Sequence, residues 1–311
     1  MNPKTRLPAR FKELRKNKVL LLMLLPGVLF LLVNNYLPMF GTIIGFKNIN
    51  YIDGILGSPW VGFDNFKFLF ATTDAWIITR NTVLYNFAFI ILNLVIAVAV
   101  AVALNELKNK LAAKFYQSVM FFPYFLSMVV VSYLVFAFLN VEYGFINKGV
   151  LALFGVDEMN WYSEPKYWPF ILPLINIWKS VGYGCVIYLS AIIGLDNEYY
   201  EAALIDGASK WKQIIHITIP LIRPVMIITT ILAIGNIFRS DFGLFYQTTL
   251  NSGALYPTTL VIDTYVYNAL INMGNLGMSS AAGLYQAVVG FFLVLLSNWV
   301  VRKIDKDQAV F

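Results

Sequence analysis

Six apolar runs long enough to cross a bilayer core of about 30 Å punctuate the chain at residues 19–38, 81–104, 115–139, 167–195, 221–238 and 281–301. They predict an all-α, polytopic membrane protein of six transmembrane helices. A tail, 1–18, precedes them, and the transmembrane domain would occupy 19–311. Between the fourth and fifth runs lies a segment too polar to span, 196–220. Its first part, 197–205, has good helix formers and an apolar set at Tyr200, Ala203 and Leu204, so a short helix is predicted. Asp206 and Gly207 should end it, because glycine tolerates the left-handed conformation of a helix terminus. A second helix capped by Ser209 would carry Trp211, Ile214, Ile215 and Thr218 on one face, with Pro220 and Pro224 at the start of the next long helix. Helix, glycine turn and helix make a knob on one membrane face, suited to a partner's cleft. An interfacial amphipathic loop without a partner is the plainer reading of this segment.

Composition changes the picture only by confirming the solvent. With 59% hydrophobic and 13% charged residues and a mean hydropathy of +0.68, the chain is too apolar for an ordinary soluble domain. Charge does more, because its placement orients the helices. Seven Lys/Arg lie in the tail, and Lys108, Lys110, Lys114, Lys210, Lys212, Arg223, Arg302, Lys303 and Lys306 fall on the same side of a six-span arrangement. That makes sixteen of 23 basic residues on one side, which the positive-inside rule assigns to the cytoplasm together with both termini and the knob. The net charge of +6 is thus a topology signal and not a nucleic-acid footprint. Leu7, Phe11 and Leu14 would give the tail one apolar face against anionic membrane lipid. The first run lacks a small-residue cleavage site and reads as an uncleaved anchor, with a cleaved signal peptide as the competing reading. The lone Cys185 excludes an intrachain disulfide.

The knob also carries a spacing. Glu201-Ala202-Ala203, three residues, Gly207, nine residues, Ile217 and then Ile219-Pro220 resembles the EAA signature of ABC-importer permeases, E-A-A-x3-G-x9-I-x-L-P, departing only at Ile219. The WVGFDNF run of residues 60–66, Asn81-Thr82, Phe122-Pro123 and the YGFIN run of 143–147 are similar to further elements of the carbohydrate-uptake, maltose-type branch of type I importers. The resemblance implies that Glu201, Ala202, Ala203, Asp206, Gly207, Ile217 and Pro220 couple the chain to an ATPase. It implies as partners a second related permease, two cytoplasmic ATPase subunits and an extracytoplasmic binding protein, in the plasma membrane of a prokaryote. This chain lacks the G-x4-G-K-[ST] loop, so ATP and Mg belong to the partner ATPase and no cofactor is expected here. Metal and nucleophile-elbow motifs are likewise missing, and His216 reads as a surface residue of the knob.

Polar residues inside spans face helices or a water-filled path. Asn176, Lys179, Ser180 and Tyr183 recur at i, i+3, i+4 and i+7, and Asn236, Arg239 and Ser240 keep the same spacing. Two such faces predict one substrate cavity. In the resembling family the helices before and after the EAA loop hold the sugar. Asn176 and Tyr183 stand where a member places an asparagine and a tyrosine on it, Ser180 stands at a glycine, and Asn236 and Ser240 replace phenylalanine and asparagine. The expected cargo is an oligosaccharide, with a lean toward an acidic one because Lys179 and Arg239 suit carboxylates and Asp241 neutralises one of them at most. Alternatively these groups bond across the permease interface, or Arg239 snorkels to the outer surface. Other readings are a permease for peptides or amino acids, an ATP-independent carrier, and a membrane enzyme using Lys179, Arg239 and Asp241.

Overall fold

The computed structural model describes residues 16–304, so the apolar face read into the tail lies outside the described residues. Helices dominate: α1 Lys18–Leu31, α2 Thr73–Glu106, α3 Lys110–Phe121, α4 Met128–Leu139, α5 Trp168–Ile193, α6 Glu198–Ile205, α7 Lys210–Gly235, α8 Phe242–Gln247, α9 Ile262–Met273 and α10 Leu276–Ile304. Five helical runs are long and apolar enough to cross a membrane, and α3 with α4 makes a sixth. Among the described residues there is no strand, only an isolated bridge between Lys47 and Trp60.

Two compact bodies divide the chain. One comprises the residues up to Phe66 with Asn275–Leu284. Its first helical run continues past the expected residue 38 to Phe46 through a π turn and a 3-10 turn. The side chains of α1 are apolar and exposed all round, the pattern of a helix that needs lipid or another protein around it. Beyond it Asn65 donates to the carbonyls of Gly45 (3.0 Å) and Lys47 (2.9 Å), and buried Lys47 donates to those of Ile55 and Leu56. These bonds give the loop a fixed shape without regular structure.

The second body, residues 67–274 and 285 onward, is built on α2 packed along α5. Small residues set their approach: a Cβ on Gly184 would stand 3.0 Å from that of Ala97. Two apolar clusters form along this pair. One gathers Tyr85, Phe89, Val131, Leu139, Trp168, Leu172 and Ile175 with Leu244, Phe245, Leu255 and Val261. The other gathers Ala97, Val98, Ala101 and Leu104 of α2, Cys185 to Ile192 of α5, and Ile222. A short polar storey is left between them.

Three span expectations need correction. The third, read as a continuous helix over 115–139, is bent by 99° between its halves Lys110–Phe125 and Met128–Leu139. Pro123 lies in the 3-10 turn before the bend, and Ser127 caps the new helix by accepting from Val130 N–H at 3.3 Å. The fifth, read as 221–238, ends at Gly235, so Asn236, Arg239 and Ser240 lie on a turn beyond the helix and not on a helical face. It also begins earlier: the second arm of the knob and the fifth span are one helical run, with a π turn at Ile214–Thr218 where a separate helix was expected. Pro220 falls in the first turn of the α-helical stretch that opens at Ile219, and Pro224 lies inside that stretch.

Candidate functional site

The knob follows from its glycine. Gly207 adopts φ +73°, Gly207 N–H donates to Leu204 C=O at 3.0 Å and Ala208 N–H to Ala203 C=O at 2.9 Å. That pair of bonds is the Schellman closure of a helix end. Two side-chain ties hold the arms together: Tyr200 OH and Thr218 Oγ1 at 2.9 Å, and buried Gln213 donating to Ala208 C=O at 3.1 Å. Lys210 pairs with Glu106 at 3.1 Å and fastens the knob to the end of α2. Ser209 occupies the cap position without a side-chain bond. The tip is left bare: Glu201, Ala202 and Asp206 are exposed, as are Leu204, Ile205 (87%) and Trp211 (73%). Ala203 and Ile217 are half-buried, Pro220 is exposed, and His216 is exposed with its Nδ1 3.0 Å from Lys212 C=O.

The polar storey between the two apolar clusters holds a cavity of about 370 Å³, walled by α2, α5 and α7. Asn86 and Asn93 come from α2, Asn176 and Ser180 from α5, Thr229 and Thr230 from α7, and Asn236, Arg239 and Asp241 from the turn after it. Along α2 the lining runs from Asn86 to Ala97, roughly 16 Å at the helical rise. Tyr188 OH meets Thr229 Oγ1 at 2.8 Å at the end nearer the knob. Asn93 Nδ2 donates to Asn176 Oδ1 at 2.7 Å, and Ser180 donates to Asn176 C=O. Asn86 Nδ2 donates to Ile237 C=O at 2.9 Å and approaches Ser240 Oγ at 3.4 Å.

The structure therefore brings Asn176, Ser180, Asn236 and Arg239 to one cavity and sends Lys179 and Tyr183 elsewhere. The i, i+4 row of α5 (Asn176, Ser180, Gly184) looks into the cavity, whereas the row offset by three faces the broken span. Lys179 Nζ donates to Tyr124 C=O at 3.0 Å and Leu126 C=O at 2.8 Å, satisfying carbonyls that the bend strips of helical partners. Tyr183 stacks on Tyr124 with ring centres 4.8 Å apart. Ser240 sits behind the wall, its N–H donating to Asp263 Oδ2 at 2.7 Å.

Arg239 is the basic side chain among those lining the cavity, and among the described residues it stands in no ion pair. Asp241, also in the lining, accepts from Leu244 N–H at 3.0 Å as the cap of α8. Asp263 is half-buried on α9; desolvation pushes its carboxyl above the usual range, against the opposing pull of Ser240 N–H, Gln286 and the Arg239 charge. Asn86, Asn93, Thr229 and Thr230 were missed by the sequence reading. The two asparagines carried a signal, amides seven residues apart in an otherwise apolar helix.

Residues 94–306 match the family described as the inner membrane component of binding-protein-dependent transport systems. The chain belongs to that family. It is 34% identical over 295 residues to the polygalacturonan/rhamnogalacturonan transport system permease protein YteP of Bacillus subtilis, covering 95% of this chain and 91% of the relative. Its fold matches a chain of a bacterial ABC transporter that imports the acidic polysaccharide alginate, with a TM-score of 0.86, 30% identity and coverage of 96% and 99%. A second match, TM-score 0.85 at 30% identity over 95% and 98% of the two chains, is to a bacterial alginate ABC transporter in complex with a periplasmic protein carrying an alginate pentasaccharide. The protein is thus an all-α membrane component of a transport system of the ABC-importer type.

Proposed function

We propose that this chain is one of two related permeases of an ATP-driven importer that moves acidic oligosaccharides across the plasma membrane of a prokaryote. The cavity carries the reading: four asparagines, four hydroxyl side chains, Asp241 and an arginine in no ion pair line it between two apolar layers. Hydroxyl-rich cargo needs many amide and hydroxyl partners, and a carboxylate needs one cation able to bond through two N–H groups. Its volume of about 370 Å³ falls within the range for small-molecule sites. The relatives named for polygalacturonan and alginate support the same cargo class, since both are polyuronates.

The basic residues of the tail, of the Lys108–Lys114 stretch and of the knob support a cytoplasmic location for both termini and the knob. There the exposed Leu204, Ile205 and Trp211 form an apolar tip for an ATPase subunit, which binds ATP and Mg. Two ATPase subunits serve the two permeases, and a binding protein delivers cargo from outside. Because α7 runs unbroken from Lys210 to Gly235, a push on the knob moves Thr229, Thr230 and Ala233 in the cavity wall. The exposed all-apolar α1 is a surface for lipid and the second permease.

The test compares uptake of an acidic saccharide with its carboxyl-reduced analogue. Arg239→Met should lose the preference for the acidic form about 10-fold, while Lys179→Met should lower total transport of both forms alike. Equal preference in wild type and Arg239→Met contradicts the acidic reading.

A further inference from the structure

Asn93 of α2 is bound by a single hydrogen bond. Its Nδ2 donates to Asn176 Oδ1 at 2.7 Å, and its Oδ1 is shut away from solvent at the cavity wall with no partner. A buried amide oxygen without a donor costs about 1–3 kcal/mol. The surrounding positions of α2, Ile90, Leu94 and Ala97, are apolar, so nothing in the helix itself calls for an amide there. Across the pair, Asn176 accepts from Asn93, and Ser180 Oγ stands 3.4 Å from the same Oδ1. No protein acceptor takes the Asn176 amide N–H groups among the described residues. Two amides joined by one bond leave one free acceptor and one free donor, whichever of the two donates. The last torsion of asparagine is soft, so the Asn93 and Asn176 amides can turn together and bring the free oxygen toward the lumen.

We propose that Asn93 and Asn176 form a subsite that reads two adjacent ring hydroxyls of the cargo: one hydroxyl donates to Asn93 Oδ1, and its neighbour accepts from Asn176 Nδ2. The subsite rests on the saccharide reading and adds to it a specificity residue from α2, a helix outside the pair that flanks the knob. Its place in the cavity fits the division of labour. Asn93 and Asn176 lie in the middle of their spans, whereas Arg239 lies past the end of α7. A cargo carboxylate at Arg239 and a diol at the amide pair fix a saccharide at two points along the lumen, which sets its direction as well as its identity.

The experiment uses the full importer in proteoliposomes, with trigalacturonate, an alginate trisaccharide, and analogues in which one hydroxyl of an adjacent pair is replaced by hydrogen. Asn93→Leu should raise KM for the parent saccharide about 10-fold, and Asn93→Gln should recover part of the loss. In wild type one deoxy analogue should show the same rise in KM, and in Asn93→Leu that analogue and the parent should be transported alike, the signature of a shared contact. Wild-type uptake with KM unchanged in Asn93→Leu overturns the subsite alone, as does a deoxy effect that persists in the variant. Wild type that takes up no saccharide of the panel overturns the saccharide reading and the subsite with it.

Discussion

Asn147 is 1% exposed and its amide is fully used: it donates to the carbonyls of Asn140 and Met159, both at 3.0 Å, and accepts from Met159 N–H and Trp161 Nε1–H. Asn147→Ala strands four partly buried groups and should destabilise the protein by about 2 kcal/mol, whereas Lys148→Ala, which removes a half-exposed pair with Glu158, should change stability by under about 0.5 kcal/mol. Thermal unfolding of the purified complex distinguishes the two. Asn65 and Asn81 play the same part elsewhere, Asn81 Nδ2 holding Leu260 C=O at 3.0 Å. All three asparagines were visible in the motifs, but their partners lie up to 179 residues away in sequence and no local pattern names them. Asp263 was not singled out at all. Its folded carboxyl lies above the unfolded value, so its contribution to stability is present below the unfolded pKa and is lost as pH rises through the folded one. Asp263→Asn keeps an acceptor for Ser240 N–H and Gln286 and should flatten that decline in a stability profile over acidic pH.

Helices and turns were the most legible level, because each knob element announces itself locally. Glycine at φ +73° ends α6 by the same reasoning that its sequence position suggested. Gly207→Pro removes the N–H given to Leu204 and forbids the positive φ; it should cost about 3 kcal/mol in the knob and abolish uptake while membrane insertion persists. The bend of the third span was not legible from residues 115–139, because its broken ends are satisfied from α5 by Lys179. That one side chain also explains why charge alone misassigned it to the cavity. Gly182 is the second contact at this junction: a Cβ there would come within 2.6 Å of Phe121 Cα. Gly182→Ala should force α5 from α3 and lower the yield of folded protein, read by size-exclusion profile in detergent.

At the scale of the whole molecule, the number of spans and the polar layer could be read from hydropathy, whereas the extent of α7 could not. Prolines and a polar stretch hid the continuity from knob to cavity, which is the feature that makes the knob a lever. Orientation rests on basic residues, and it yields a direct expectation. A cysteine at Trp211 should react with an impermeant reagent only from the cytoplasm, and one at Ile52, 93% exposed, only from outside, with buried Cys185 silent. The account as a whole stands on uptake being driven through the knob by a separate ATPase. Its most direct test is saccharide uptake into proteoliposomes holding this chain, the second permease and the ATPase, with the loaded binding protein outside and ATP at the knob side. The account predicts accumulation that stops when ATP is omitted, when the ATPase is left out, or when Gly207→Pro replaces the wild type. Uptake that continues at the same rate without the ATPase would contradict it.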